Sequence, residues 1–273
     1  MRKYDLLAID MDGTLLHTDS SLSDKNREAL YHFHEAGGKI VLISGRPDLM
    51  TLPYVHELGD VDLYAAYNGA LLADKNRNVL FSKEIEEETA EKTCDCLKEK
   101  GFEFSILVRE GMYSNKRSFS EFGKQNELAD HLAEKHGTPK GVLLPLEKRK
   151  DEAVYKFVIF KKEEEDEANR EVPERLQKDS SLTVTSSRPS IYDVSAEGVD
   201  KGLAVRMARK ILEIEKEKVC VIGDFYNDVP MFSEAGLSIA MGNAPEEVRQ
   251  KADKTVSSNN EDGVAEAIEK YLL

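Results

Sequence analysis

Short apolar runs alternate with amphipathic stretches at both ends of the chain, a pattern that predicts a parallel sheet with helical crossovers. The run Tyr4-Asp5-Leu6-Leu7-Ala8-Ile9 reads as a buried strand leading into Asp10-Met11-Asp12-Gly13-Thr14. A helical pattern follows from about Lys25 to Ala36, with Ser23 as its N-cap and Gly37-Gly38 as its end. A second strand, Lys39 to Ile43, ends in Ser44-Gly45-Arg46-Pro47, which opens another helix to about Leu58. Val61 to Ala66 reads as a third strand. Asn68-Gly69 then marks a tight turn, and Leu71-Leu72 with Val79-Leu80-Phe81 predict a hairpin. The same alternation returns after Val199. A helix opens at Asp200-Lys201-Gly202, and the strand Lys218 to Ile222 runs into Gly223-Asp224-Phe225-Tyr226-Asn227-Asp228. Leu237 to Ala240 is a further strand, a helix starts at Asn243-Ala244-Pro245, Ala252 to Val256 forms a last short strand, and Asp262 to Leu272 a closing helix.

Between these ends the pattern changes. Residues 84–100 read as an acid-rich helix, Phe102 to Val108 and Met112 to Ser114 as strands, and 120–136 and 163–178 as helices flanking the strand Val154 to Phe160. Leu182 to Thr185 and Ile191 to Val194 can close a second sheet, and the charge run from Lys161 to Glu167 reads as a solvated helix start. The expected fold is α/β: a Rossmann-like parallel-sheet core at 1–82 and 190–273, with an α+β cap domain inserted at 83–189.

Composition narrows the function classes. At 273 residues, with 40% apolar and 33% charged residues, the chain can bury a sizeable core. No apolar run approaches the roughly 20 residues that span a bilayer, and no signal-like cleavage site is visible, so the expected location is cytoplasmic. A net charge of −14 argues against nucleic acid or an anionic membrane as partner, since both need a basic footprint. Cys94, Cys96 and Cys220 fit no zinc spacing and read as structural thiols. The six histidines are scattered and read as surface or core residues.

The chemistry gathers where strands end. In a parallel sheet the ends carrying Asp10, Asp12, Ser44, Asp224, Asn227 and Asp228 share one edge with the helix start at Lys201. Clustered carboxylates repel unless a cation joins them. Mg²⁺ fits, because it takes oxygen ligands, and no His or Cys lies in these motifs. A lysine, a serine hydroxyl and helix N-termini beside them suit a phosphoryl group.

These motifs, Asp10-Met11-Asp12-Gly13-Thr14, Ser44-Gly45-Arg46, Lys201-Gly202 and Gly223-Asp224 with Asn227-Asp228, occur in the order and spacing of the haloacid dehalogenase-like superfamily. The chain resembles its Cof-type branch of phosphatases, whose large α/β cap (type IIB) matches the long gap between the second and third motifs. Phe225-Tyr226 departs from the smaller or polar residues of many relatives. The resemblance implies a Mg²⁺-dependent phosphatase of small phosphorylated metabolites, sugar phosphates foremost. It implies Asp10 as nucleophile, forming an aspartyl-phosphate, and Asp12 as acid and then base. Ser44, Gly45, Lys201 and Asn227 would hold the phosphoryl group. Asp10, the Asp12 carbonyl and Asp224 would hold the metal, with Asp228 in support. Arg46 is left between a substrate contact and a local ion pair. Two rivals share the motifs: a phosphosugar mutase using the same intermediate, and a non-catalytic phosphometabolite sensor. The physiological substrate, the cap residues that touch it and the oligomeric state are not readable.

Overall fold

The computed structural model describes residues 3–115, 123–162, 166–188 and 190–273. In chain order the elements begin with β1 (Leu6–Asp10), α1 (Asp24–Glu35), β2 (Lys39–Ile43), α2 (Asp48–Leu58), β3 (Leu63–Ala66), β4 (Leu71–Ala73) and β5 (Val79–Ser82). There follow α3 (Glu87–Glu99), β6 (Glu103–Val108), β7 (Gly111–Ser114), α4 (Gly123–His136), β8 (Val142–Pro145), β9 (Val154–Phe160), α5 (Ala168–Gln177), β10 (Leu182–Arg188) and β11 (Ile191–Ala196). The chain closes with α6 (Lys201–Ile211), β12 (Val219–Gly223), α7 (Val229–Phe232), β13 (Leu237–Ala240), α8 (Glu246–Arg249), β14 (Lys254–Thr255) and α9 (Gly263–Ala267), whose last turn widens into a π-helix over Ile268–Leu272.

Among the described residues these strands form two sheets. The first has the order β14-β13-β12-β1-β2-β3-β4-β5, parallel from β14 to β3 and antiparallel at the β4 and β5 hairpin. Every residue of β1 is buried, so the strand reads as a continuous apolar run rather than an alternating one. Its side chains feed both faces: Leu7 and Ile9 pack with Leu30 and Phe33 of α1, while Leu6 and Ala8 pack with Ala204, Val205 and Ala208 of α6. The chain winds outward from β1 through β2 to β3, then restarts on the other side at β12. The switch therefore falls between β1 and β12, and such a crevice at the carboxyl ends of the strands is where open α/β sheets bind ligands.

The second sheet has the order β10-β11-β9-β6-β7-β8. Its β11 runs to Ala196, past the expected core start at 190, because it pairs antiparallel with both β9 and β10. The strand β8 was not foreseen. Val142-Leu143-Leu144 is a short apolar run with a proline at its end, and it holds its place by parallel pairing to β7. The helices expected at 120–136 and 163–178 appear as α4 and α5, the second starting at Ala168 after Asp166 and Glu167 of the charge run; residues 120–122 and 163–165 lie outside the described residues. The expected strand from Ala252 to Val256 shortens to Lys254–Thr255. All three cysteines are buried and unpaired. Among the described residues no helix is long and apolar enough to cross a membrane.

Candidate active site

Strand β1 delivers Asp10 to the crevice, and Lys201, the first residue of α6, meets it there. The helix start is fixed by Asp200, whose side chain accepts the Leu203 N–H at 2.7 Å. Gly202 has no Cβ, which lets the Pro230 carbonyl approach; a Cβ would lie 2.6 Å from that oxygen. Lys201 Nζ lies 2.5 Å from Asp10 Oδ1 and 2.5 Å from Asp228 Oδ1, and all three residues are buried. The second oxygen of Asp228 accepts the backbone N–H groups of Asp224 (2.8 Å) and Phe225 (2.9 Å), so both its oxygens are engaged.

Asp224 stands at the end of β12, beside Asp10. Thr14 Oγ1 donates to Asp224 Oδ1 at 2.9 Å and lies 3.4 Å from Asp10 Oδ2. Gly13 adopts φ +79°, and a Cβ there would sit 2.5 Å from Asp224 Oδ2. Glycine is needed for the turn and for the approach of the two acidic segments. Asn243 Nδ2 closes this side, donating to the Gly13 carbonyl at 2.8 Å and to Asp224 Oδ2 at 3.3 Å.

The electrostatics follow from crowding. Burial raises the Asp10 carboxyl well above its ordinary value and the charges of Asp228 and Asp224 add to this, with Lys201 opposing them. Asp224 is pushed up to about 7 by burial and then by Asp228. Burial lowers the affinity of Lys201 for its proton, but Asp10 and Asp228 outweigh it, so the ammonium is held charged. Carboxylate oxygens of Asp10, Asp224 and Asp228 lie within 4.8 Å of one another. Three acids against one lysine leave a surplus of negative charge, and an all-oxygen donor set is the kind Mg²⁺ takes. The residues therefore fit a hard divalent cation.

Asp12 faces the cavity half-exposed and is gripped by Arg46: Nε donates to Oδ2 at 2.7 Å and an Nη to Oδ1 at 2.5 Å. Arg46 itself is buried, over the Tyr54 ring at 5.1 Å. Of the two readings left open for Arg46, its contact here is the local acid. Ser44 is fully buried and its Oγ accepts the Arg46 N–H at 3.0 Å. Asn227 Nδ2 donates to Asn68 Oδ1 at 3.4 Å, and Asn68 is held at φ 57°, the left-handed region its turn requires.

One cavity of about 510 Å³ joins these groups. Asp10, Asp12, Gly45, Lys201, Asp224 and Asn227 line it, while Ser44 and Asp228 stand behind that wall. Sequence reasoning missed several lining residues. His17, read as scattered, borders the cavity, as does Asn243. Leu107, Met112, Val158 and Phe160, read as cap core, line it from the second sheet, together with Lys156 and Asp193. The one available signal was a lysine in the middle of the apolar run Val154 to Phe160.

Comparison with known proteins identifies the family and the fold. A family model for haloacid dehalogenase-like hydrolases matches residues 7–268. The chain is 31% identical to the 5-amino-6-(5-phospho-D-ribitylamino)uracil phosphatase YcsE of Bacillus subtilis, over 98% of this chain and 96% of that protein. It is 32% identical to the putative phosphatase YxeH of the same species, over 99% of each. A haloacid dehalogenase-like hydrolase from Bacteroides thetaiotaomicron has the same fold with a TM-score of 0.80 at 27% identity, covering 98% of this chain and 99% of that one. The chain belongs to the haloacid dehalogenase-like hydrolases, in their Cof-type phosphatase branch with an inserted α+β cap.

Proposed function

We propose that this protein is a Mg²⁺-dependent phosphatase of small phosphorylated metabolites, sugar phosphates among them, acting through an aspartyl-phosphate on Asp10. The observation that carries the reading is Lys201, clasped between Asp10 and Asp228 at the switch between β1 and β12, with Asp224 alongside. The phosphatase names of the two Bacillus relatives support it.

Asp10 attacks phosphorus, and the bond to the ester oxygen breaks as the new acyl-phosphate bond forms. Lys201 opposes the burial that raises the Asp10 carboxyl, so favouring the ionised nucleophile, and offsets charge on the phosphoryl oxygens. Asp12 gives a proton to the departing alkoxide, then takes one from the water that cleaves the intermediate. Its pairing with Arg46 favours the carboxylate, the form needed for the second step. The first step therefore requires the arriving substrate to loosen that pair. Asn227 and the Gly45 backbone border the phosphoryl group, and Ser44 and Asp228 act from behind by fixing Arg46 and Lys201. Asp10, the Asp12 carbonyl and Asp224 would hold Mg²⁺. When bound, the ion would neutralise the crowded carboxylates and polarise the phosphoryl oxygens. The second sheet roofs the cavity, limits water and favours small substrates over folded phosphoproteins.

The test is phosphate release from a panel of phosphorylated metabolites, with Mg²⁺ or with EDTA. The reading expects release that needs Mg²⁺ and is lost in Asp10→Asn. Isomerisation activated by a bisphosphate, with little phosphate released, would identify a mutase instead. Tight binding without turnover would identify a sensor.

A further inference from the structure

The turn Ser44-Gly45-Arg46 after β2 is held almost throughout by the first sheet and the turn after β3. The Ser44 N–H donates to the Ala65 carbonyl at 2.9 Å, the Ser44 carbonyl accepts the Asn68 N–H at 2.9 Å, and the Arg46 carbonyl accepts the Tyr67 N–H at 3.0 Å. The Arg46 N–H donates to Ser44 Oγ at 3.0 Å. The Gly45 carbonyl is held from elsewhere. Its donor among the described residues is Lys156 Nζ, 3.3 Å away on β9 of the second sheet. Lys156 is 2% exposed and pairs with the fully buried Asp193 of β11, Nζ lying 2.6 Å from Oδ1. Lys156 is in register with Ser195, so Asp193, two residues along, stands on the same face of the neighbouring strand. A buried pair of this kind is often no more stabilising than hydrophobic residues of the same volume. What it does here is balance the charge of the ammonium and leave a donor on one core carbonyl.

That carbonyl belongs to the peptide unit joining Gly45 to Arg46. A peptide unit is planar, so Ser44 at its N–H and Lys156 at its C=O together set its tilt. The same unit carries the Arg46 Cα, and Arg46 grips both oxygens of Asp12. The preceding unit, which carries the Gly45 N–H beside the phosphoryl site, is fixed instead by the Asn68 N–H on the Ser44 carbonyl. Resting on the phosphatase reading, we infer that Lys156 is a positioning residue. It acts through the Gly45–Arg46 peptide and the Arg46 side chain to aim Asp12 at the leaving group, and Asp193 holds it in place. Proton delivery then depends on the second sheet being seated on the first, whereas phosphoryl binding does not.

Two esters with unlike leaving groups test this. The alkoxide of ribose 5-phosphate needs a proton to leave, whereas 4-nitrophenolate leaves 4-nitrophenyl phosphate without one. The ratio kcat/KM reports the barrier from free enzyme and ester up to that departure, so later hydrolysis of the intermediate does not enter. The double variant Lys156→Met with Asp193→Leu removes both charges and strands neither. It is expected to lower kcat/KM for ribose 5-phosphate by about tenfold or more, within what a placed acid contributes, and for 4-nitrophenyl phosphate by less than about threefold. Where that variant fails to fold, Lys156→Gln with Asp193→Asn gives the same readout, since the shorter amide does not reach Gly45. Backbone hydrogen exchange over residues 43–48, followed by mass spectrometry, is the second measurement. It is expected to quicken by about threefold or more in the variant, with α1 unchanged, as a local opening would give. Exchange needs no turnover, so it decides the inference where wild type hydrolyses neither ester or only one, a result that bears on the phosphatase reading alone. A loss that is no greater for ribose 5-phosphate than for 4-nitrophenyl phosphate, or unchanged exchange over 43–48, overturns the inference.

Discussion

Asp12 and Arg46 form a two-pronged pair at the rim of the cavity, and the arginine is fixed from behind by the Tyr54 ring. A planar guanidinium can grip both carboxylate oxygens at once, whereas an ammonium cannot. Arg46→Lys therefore keeps the charge and loses the orientation of the acid. A displacement of about 1 Å in a catalytic group can cost on the order of a hundredfold, so kcat is expected to fall by about tenfold to a hundredfold with little change in melting temperature. Steady-state kinetics and a thermal melt of the same preparation check this; an unchanged kcat would mean that the pair does not set the position of Asp12. At this scale legibility followed chain continuity. Asp10, Asp224 and Lys201 stood out because each terminates a buried strand or opens a helix, and the ladder then had to bring them together. The partner of Arg46 was a choice among nearby acids, and the Lys156–Asp193 pair depends on which strands of the second sheet are neighbours. Neither is fixed by local sequence.

Between elements, α2 is the joint. Its residues from Asp48 to Val55 are all buried, because one side packs on the first sheet and α4 covers another. At its end Glu57 gathers Arg27 of α1 (2.9 Å) with Lys135 (2.6 Å) and His136 (2.7 Å) of α4. Burial pushes the Glu57 carboxyl up, but Lys135, His136 and Arg27 more than offset this and leave it below the ordinary glutamate value. A carboxyl with a lowered folded-state pKa stabilises the fold above its unfolded value, about 4.3, and this is lost as pH falls through the lowered value. Wild type is expected to melt above Glu57→Gln at pH 7, with the gap closing as the pH drops below about 4. A gap that persists at low pH would show that packing, not charge, makes the contact. The helices and most strands of the second sheet were legible because apolar spacing sets them. The strand β8 was not, since a run of four residues ending in proline carries too little pattern, and only pairing with β7 defines it.

For the whole molecule, the surplus of acid at the β1–β12 switch is expected to tie stability to a cation. A ligand that binds only the folded state adds about 2.7 kcal/mol at a free concentration a hundred times its Kd, so Mg²⁺ is expected to raise the melting temperature of wild type. Asp224→Asn removes one of the crowded carboxylates. Without metal the variant is expected to melt at or above wild type, and Mg²⁺ is expected to shift it little. A full Mg²⁺ shift in Asp224→Asn would move the ion's site elsewhere. The central claim is that Asp10 carries the phosphoryl group, and the most direct measurement is its capture. Wild type is mixed with a turned-over phosphate ester, quenched in acid within the first turnover, digested and sequenced by mass spectrometry. A phosphoryl adduct is expected on Asp10, and none in Asp10→Asn. An adduct on another residue, or an Asp10→Asn protein that hydrolyses the ester at the wild-type rate, would contradict the assignment.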